Sequence, residues 1–355
     1  VEPTSAKAAS KGHVLGPGGY IRDGVQRWVL AIVDLDAARP EPMLIEMGFL
    51  GHGVSVDPTR PERAAVFEKK GPGACIVDLR AREVVRTIPT APNRHFYGHG
   101  SYSADGSLLY ATESVLDDDH RGVLVVRDAR TLEELGELPT YGTAPHDCML
   151  LDDGRTMLVA NGGGPIQGGA MPNVTYVDVE SEALVERVDL TDPRFNAGHL
   201  ARARTGDLAV VSAPRDGLPD VARQRGAVTL VPRGGAATTV TRPESVTARM
   251  IGEALSVALY EPDGLVVATH PGGDMVSMWR LPDASFVGTL DGFVEPRGVA
   301  LTLDGGELVV SHRLGASVAL SLVAAATRKP AAAPVVDPSF TSGSHIFMHD
   351  LAGVA

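Results

Sequence analysis

Five of the eleven histidines in this 355-residue chain stand in closely related settings: His52 in "GHG", His99 in "GHG", His146 in "PHD", His199 in "GHL" and His345 in "SHI". Imidazole nitrogens are the commonest protein ligands for transition metals and suit copper, zinc, iron and nickel. Carboxylates from Glu68, Glu113 or Glu253 would widen the choice toward iron or manganese. A lone histidine in a strand is more often a hydrogen-bonded structural residue. Five in equivalent positions read differently, because Ser, Thr or Asn would serve packing as well, and crowded buried imidazoles depress one another's pKa unless an ion compensates. The expected cofactor is a transition metal ion, copper or iron first, with zinc as a further candidate.

The elements that must position these residues are visible in the repeat around them. The first four histidines each precede a short alternating strand, a Gly/Asp turn such as "ADGS" or "DDGR", and a second strand, while His345 opens an incomplete last copy; Glu253 and Arg297 occupy the same place in two further copies. The steps between the seven anchors are roughly 44 to 54 residues, the period of blades arranged about an axis. The expectation is an all-β, seven-bladed β-propeller whose anchors open the innermost strands at one mouth of the central channel. The second strand of each copy would return to that mouth, bringing Glu68, Glu113, Asn161, His270 and His312 there. A metal bound at about 2.0–2.1 Å can use only three or four of the anchors. The consecutive His52, His99, His146 and His199 are the expected set. His95 and Glu113 are expected just behind them, and His345, Glu68, Glu253 and Arg297 are further candidates. Arg297 would oppose a central cation unless Glu253 or an anion held it. His270 and His312 form an alternative pair with Glu253, while His13 and His120 read as solvated loop residues and His349 as packing.

Only one strand follows the connector "AAATRKPAAAPVVDPSF", so the last blade is expected to borrow strands from about Trp28 to Phe49, closing the ring by pairing the N- and C-terminal strands. Residues 1–17 would be a loosely held arm and 18–355 a single domain. The 40 Gly and 25 Pro fit many short strands and turns, and long amphipathic helix patterns are absent. A net charge of −12 without basic clusters argues against nucleic acid, and no apolar run reaches the roughly 18 residues of a membrane span. Cys75 and Cys148 fall in different repeats and read as buried free thiols, although Cys148 shares a strand face with His146. "NGGGPIQGG" lacks the Lys and helix of a phosphate loop. "LDDDHRG" lacks the spacing of an EF-hand loop, and no haem-attachment motif occurs.

The strings "RHFYGHGSYSADGSLLYATES" (94–114), "PHDCMLLDDGRTMLVANGGG" (145–164), "GHG" (51–53) and "GHLA" (198–201) resemble an uncharacterised family of bacterial seven-bladed propellers. Its members are typically exported by the twin-arginine route and often encoded beside imelysin-type iron-uptake proteins. The resemblance runs from about Gly51 to His349 and implies a periplasmic propeller with conserved histidines, without an established activity. The segment after Gly164 departs from the family, reducing a longer signature to "AMPN". The polar start "VEPTSAKAASKG" also fits a removed targeting segment. A periplasmic or secreted location is therefore expected.

The function expected is metal binding or trafficking, with a metal ion and a periplasmic protein as partners. Two other readings stand beside it. One is a metal-dependent enzyme, either a copper redox centre or a hydrolase in which Glu113 or Glu253 activates a metal-bound water. The other is a protein-binding scaffold whose histidines are structural; propellers host all three.

Overall fold

The computed structural model describes residues 10–220, 223–281, 283–352 and 354. Nearly all regular structure is antiparallel β, made from short runs of Val, Ile, Leu and Ala that bury one or both faces and end at Gly/Asp turns. Each turn holds itself: Asp105 Oδ1 accepts the Ser107 amide at 3.0 Å, and Asp153 Oδ1 accepts that of Thr156 at 2.8 Å.

The strands form a β-propeller arrangement, but not as seven separate blades. Five four-stranded sheets stand alone, and the remaining eight strands, from Gly51–Asp57 to Glu134–Thr143, form one continuous sheet. The expectation of seven like blades fails because the strand Arg60–Gly71 outruns its own hairpin and pairs with Arg94–Tyr102 through Lys69↔Tyr97 and Gly71↔Phe96. Two four-stranded meanders are thereby stitched into one unit.

Closure also departs from the expectation. The C-terminal strand Phe347–His349 does not meet strands within 28–49; its partner is His13–Arg22, over three residue pairs from His13↔His349 to Leu15↔Phe347. Val25–Asp34 and Pro42–Met47 lie outside that strand in turn. The strand His13–Arg22 begins within the segment expected as an arm, and His13 is buried rather than solvated.

Neighbouring sheets pack face to face. Leu15, Leu30, Ile32 and Ile45 meet Val54, Val66 and Val77, and on their other side Val14 and Val33 meet Val309, Leu320 and Leu322. Each such aliphatic side chain contributes about 1.5–3 kcal/mol when fully buried. The innermost strands, among them Gly51–Asp57, Pro145–Leu150, His199–Arg202, Val257–Tyr260 and Val299–Leu301, are short and line a central cavity of about 640 Å³. Among the described residues no helix is long and apolar enough to cross a membrane.

Candidate metal centre

Three of the five histidines sit where the pleat is interrupted. Gly51 pairs Glu68 and Gly53 pairs Phe67, leaving His52 as the extra residue; Pro145 pairs Asn161 and Asp147 pairs Ala160, leaving His146. The register also shifts between Phe96 and Gly100, and there Thr112 Oγ1 accepts the His99 amide at 3.3 Å and donates to the His99 carbonyl at 3.0 Å. Such bulges bend an edge strand and re-aim a side chain, here toward the axis. The flanking glycines are needed for clearance. A Cβ on Gly98, at φ +122°, would meet His52 Cδ2 at 2.6 Å, and one on Gly53 would meet the Gly98 carbonyl oxygen at 2.3 Å.

The result is a buried knot of imidazoles. His52 Nε2 lies 3.1 Å from both His146 Nε2 and His199 Nε2. The His199 and His345 rings are 3.7 Å apart centre to centre, and those of His146 and His199 4.3 Å. Ligand nitrogens of His52, His99, His199 and His345 all lie within 4.8 Å of one another. Four nitrogens around a tetrahedral ion at 2.0–2.1 Å would be about 3.3–3.4 Å apart, so a modest contraction of this group would enclose one. His345 therefore enters the closest group where His146 was expected. The channel neck is narrow enough for the last anchor to reach across, and His146 packs beside it on His52.

Electrostatics keep the knot neutral. Burial first, and then the neighbouring imidazoles, push the pKa values of His52, His146, His199 and His345 well below the ordinary histidine value; Lys69 adds to this at His52, His146 and His345, and for His146 it is the largest of the neighbours. His99 is lowered less: burial acts against it, but Asp147 favours its charged form. Asp147 Oδ1 lies 3.3 Å from His99 Nδ1, and its other oxygen accepts the Leu200 amide at 3.1 Å. A proton held on Nδ1 by that carboxylate leaves the His99 Nε2 lone pair free, the arrangement that orients metal-ligating histidines. His99 Nε2 and His345 Nε2 are buried without a hydrogen-bond partner. Three Nε2 atoms converge at His52 with at most one proton to share between each pair. Such a set of unpaired acceptors is poorly satisfied by protein alone and suits a cation.

The other candidates are placed elsewhere. Glu113 is fully buried, but it is held by Arg127 at 2.6 Å and the Thr90 hydroxyl at 2.7 Å, so it does not stand behind the histidines. Glu68 accepts the Gly73 amide at 2.8 Å and fills the space beside Gly71. His95 pairs with Ser114 on the strand and lines a separate small cavity with Lys70 and His120. His270 and His312 belong to different sheets and are each held by a serine, Ser277 at 2.7 Å and Ser321 at 2.9 Å; they form no pair. Arg297 precedes its strand and gives its Nε–H to the Gly343 carbonyl at 3.0 Å. Glu253 also precedes its strand, and its charge acts on Lys69. Both cysteines are free and buried.

Sequence reasoning missed Asp147 and Lys69. The first follows His146 directly, and the bulge at His146 is what lets both residues serve the channel. The second follows Glu68 in "FEKK", and the alternation of a strand turns it to the face opposite Glu68.

A β-propeller carrying a buried histidine cluster in its channel is the class defined by this geometry. The chain belongs to the family described as protein of unknown function (DUF1513), whose model matches residues 45–337. No curated protein matches it in sequence. Among solved structures it is similar to a chain of Kuenenia stuttgartiensis hydrazine synthase, with a TM-score of 0.66 and 15% identity over 92% of this chain and 99% of that one. At that identity the likeness concerns the fold alone.

Proposed function

We propose that the histidine cluster binds one transition metal ion and that the protein is an exported metal-binding or metal-trafficking propeller. The observation that carries this reading is the convergence of the His52, His99, His199 and His345 nitrogens within 4.8 Å, buried, with the Nε2 atoms of His99 and His345 unpartnered. Neutral imidazoles at pH 7 are ready ligands and need lose no proton. With Glu113 and Glu68 engaged elsewhere the donor set is nitrogen only, which favours copper over iron, with zinc next. Export is part of the proposal on the strength of the sequence resemblance, and cell fractionation tests it.

A second reading, an enzyme using the metal, is favoured by one observation: His99, His199 and His345 border the 640 Å³ channel cavity, through which a substrate reaches the ion. Glu113 is not its base, since Arg127 holds that carboxylate.

The test is elemental analysis of untagged protein, followed by titration with Cu(II), Zn(II) and Fe(II). One ion per chain is expected, bound at least tenfold more weakly by His199→Ala and His345→Ala. Absence of binding by the wild type, or equal binding by these variants, overturns the proposal and leaves the scaffold reading.

A further inference from the structure

Separate from the 640 Å³ cavity that His99, His199 and His345 border, a second cavity of about 170 Å³ is lined by Lys69, Lys70, Tyr97, His146, Arg215 and Asp216. At protein-interior packing this is room for about ten non-hydrogen atoms. Among the described residues neither lysine has a carboxylate within ion-pair distance; Lys70 Nζ lies over the Tyr97 ring at 5.7 Å. Lys69 is half-buried in the channel neck, and its charge reaches four of the cluster histidines. Burial lowers its pKa to about 8, with Glu253 acting to restore it, so it is mostly an ammonium at pH 7.

Tyr97 stays a neutral phenol, its pKa raised to about 12 by burial and Asp216; its ring stands edge-on to His146 at 6.0 Å. Arg215 is spent structurally on the carbonyls of Gly164, Pro165, Ala170 and Pro193, but its charge remains. Asp216 is the one acidic lining residue and is exposed. A half-buried cation beside a cation site is unfavourable unless an anion lies between them.

We propose that this cavity seats a small carboxylate ligand, its outer oxygens paired with Lys69 and its inner oxygen directed at the His146 edge of the histidine cluster. The seat stands on Lys69 and the cavity; only the contact with an ion rests on the metal-binding reading. That reading gives the carboxylate a role as an additional ligand of the metal.

The experiment is calorimetric titration of oxalate and formate into chelator-treated and copper-treated wild type, Lys69→Met and Lys69→Gln, with copper stoichiometry measured separately and folding checked by thermal melts. Oxalate is expected to bind the chelator-treated wild type, and both variants at least tenfold more weakly, with copper stoichiometry unaltered. In the copper-loaded wild type, oxalate should bind more tightly and shift the visible absorption. No oxalate binding by either wild-type form, or equal affinity in wild type and a folded Lys69 variant, overturns the proposal. A protein that takes no copper but shows the Lys69-dependent step in its chelator-treated form retains the anion seat while the metal reading fails.

Discussion

Acidification from pH 7 to 5.5 should destabilise the metal-free protein through its histidines alone. In the fold, His52, His146, His199 and His345 have pKa values well below 6.5, because burial and their neighbours disfavour the imidazolium. In the unfolded chain they titrate near 6.5. The unfolded state therefore binds more protons in this window, so stability rises with pH through it, levels off above the unfolded pKa and falls as pH drops below 6.5. Each imidazole that stays neutral while its unfolded counterpart charges costs about 1.3 kcal/mol between pH 7 and 5.5, roughly 5 kcal/mol for the four. That is a large part of a typical folding free energy of about 5–15 kcal/mol. Asp178, whose pKa is held at about 2 chiefly by backbone amides, loses its contribution only as pH falls from about 4 toward 2, outside this window. The assay is urea denaturation of chelator-treated protein at pH 7, 6 and 5.5, beside His199→Gln, in which about 1.3 kcal/mol of the pH dependence should vanish; His270 and His349, lowered by burial to about 3 and about 4, contribute alongside the four. A denaturation midpoint flat over this range would refute the reasoning, because it would mean that the cluster charges within the fold and is hydrated.

Three other outcomes follow from the same geometry. Gly98→Ala should cost about 3 kcal/mol, since it combines a left-handed backbone with a methyl group 2.6 Å from His52; a midpoint within experimental error of wild type would contradict the bulge geometry. Arg127→Met should destabilise by about 3–5 kcal/mol by leaving Glu113 buried and unpaired, while copper stoichiometry measured on the folded protein stays unchanged. Asp147→Asn should weaken copper binding about 10–100-fold through loss of the carboxylate that orients His99, with little change in the affinity of His99→Ala when the two are combined; calorimetry on the double variant decides this.

The repeat made the histidines legible. A repeated "GHG" names both the ligand and the clearance it needs, since Gly53 and Gly98 lie where the backbone of one inner strand touches the next histidine. Glu113 was expected beside the histidines because its strand returns to their mouth, but a strand's end does not fix which way its side chain faces, and Arg127 on the neighbouring strand claims it. His345 was underrated because repeat order describes adjacency around the ring, whereas the closest group is decided by how narrow the neck is. The separate-blade expectation failed on Lys69–Gly71, where nothing in "EKKG" announces that a strand will run past its own hairpin and pair beyond it.

That stitch gives the cluster an asymmetry. His52 and His99 come from opposite halves of the eight-stranded sheet, with backbone hydrogen bonding continuous between them, so the two cannot drift apart without breaking the Lys69–Tyr97 ladder. His199 opens a strand of another sheet and His345 lies just before the strand Phe347–His349, both outside that continuous ladder. In hydrogen exchange the double sheet should open as one cooperative unit and the others separately. An arriving ion would then meet a fixed pair of nitrogens forming an anvil, and two movable jaws would supply the contraction that closes the site.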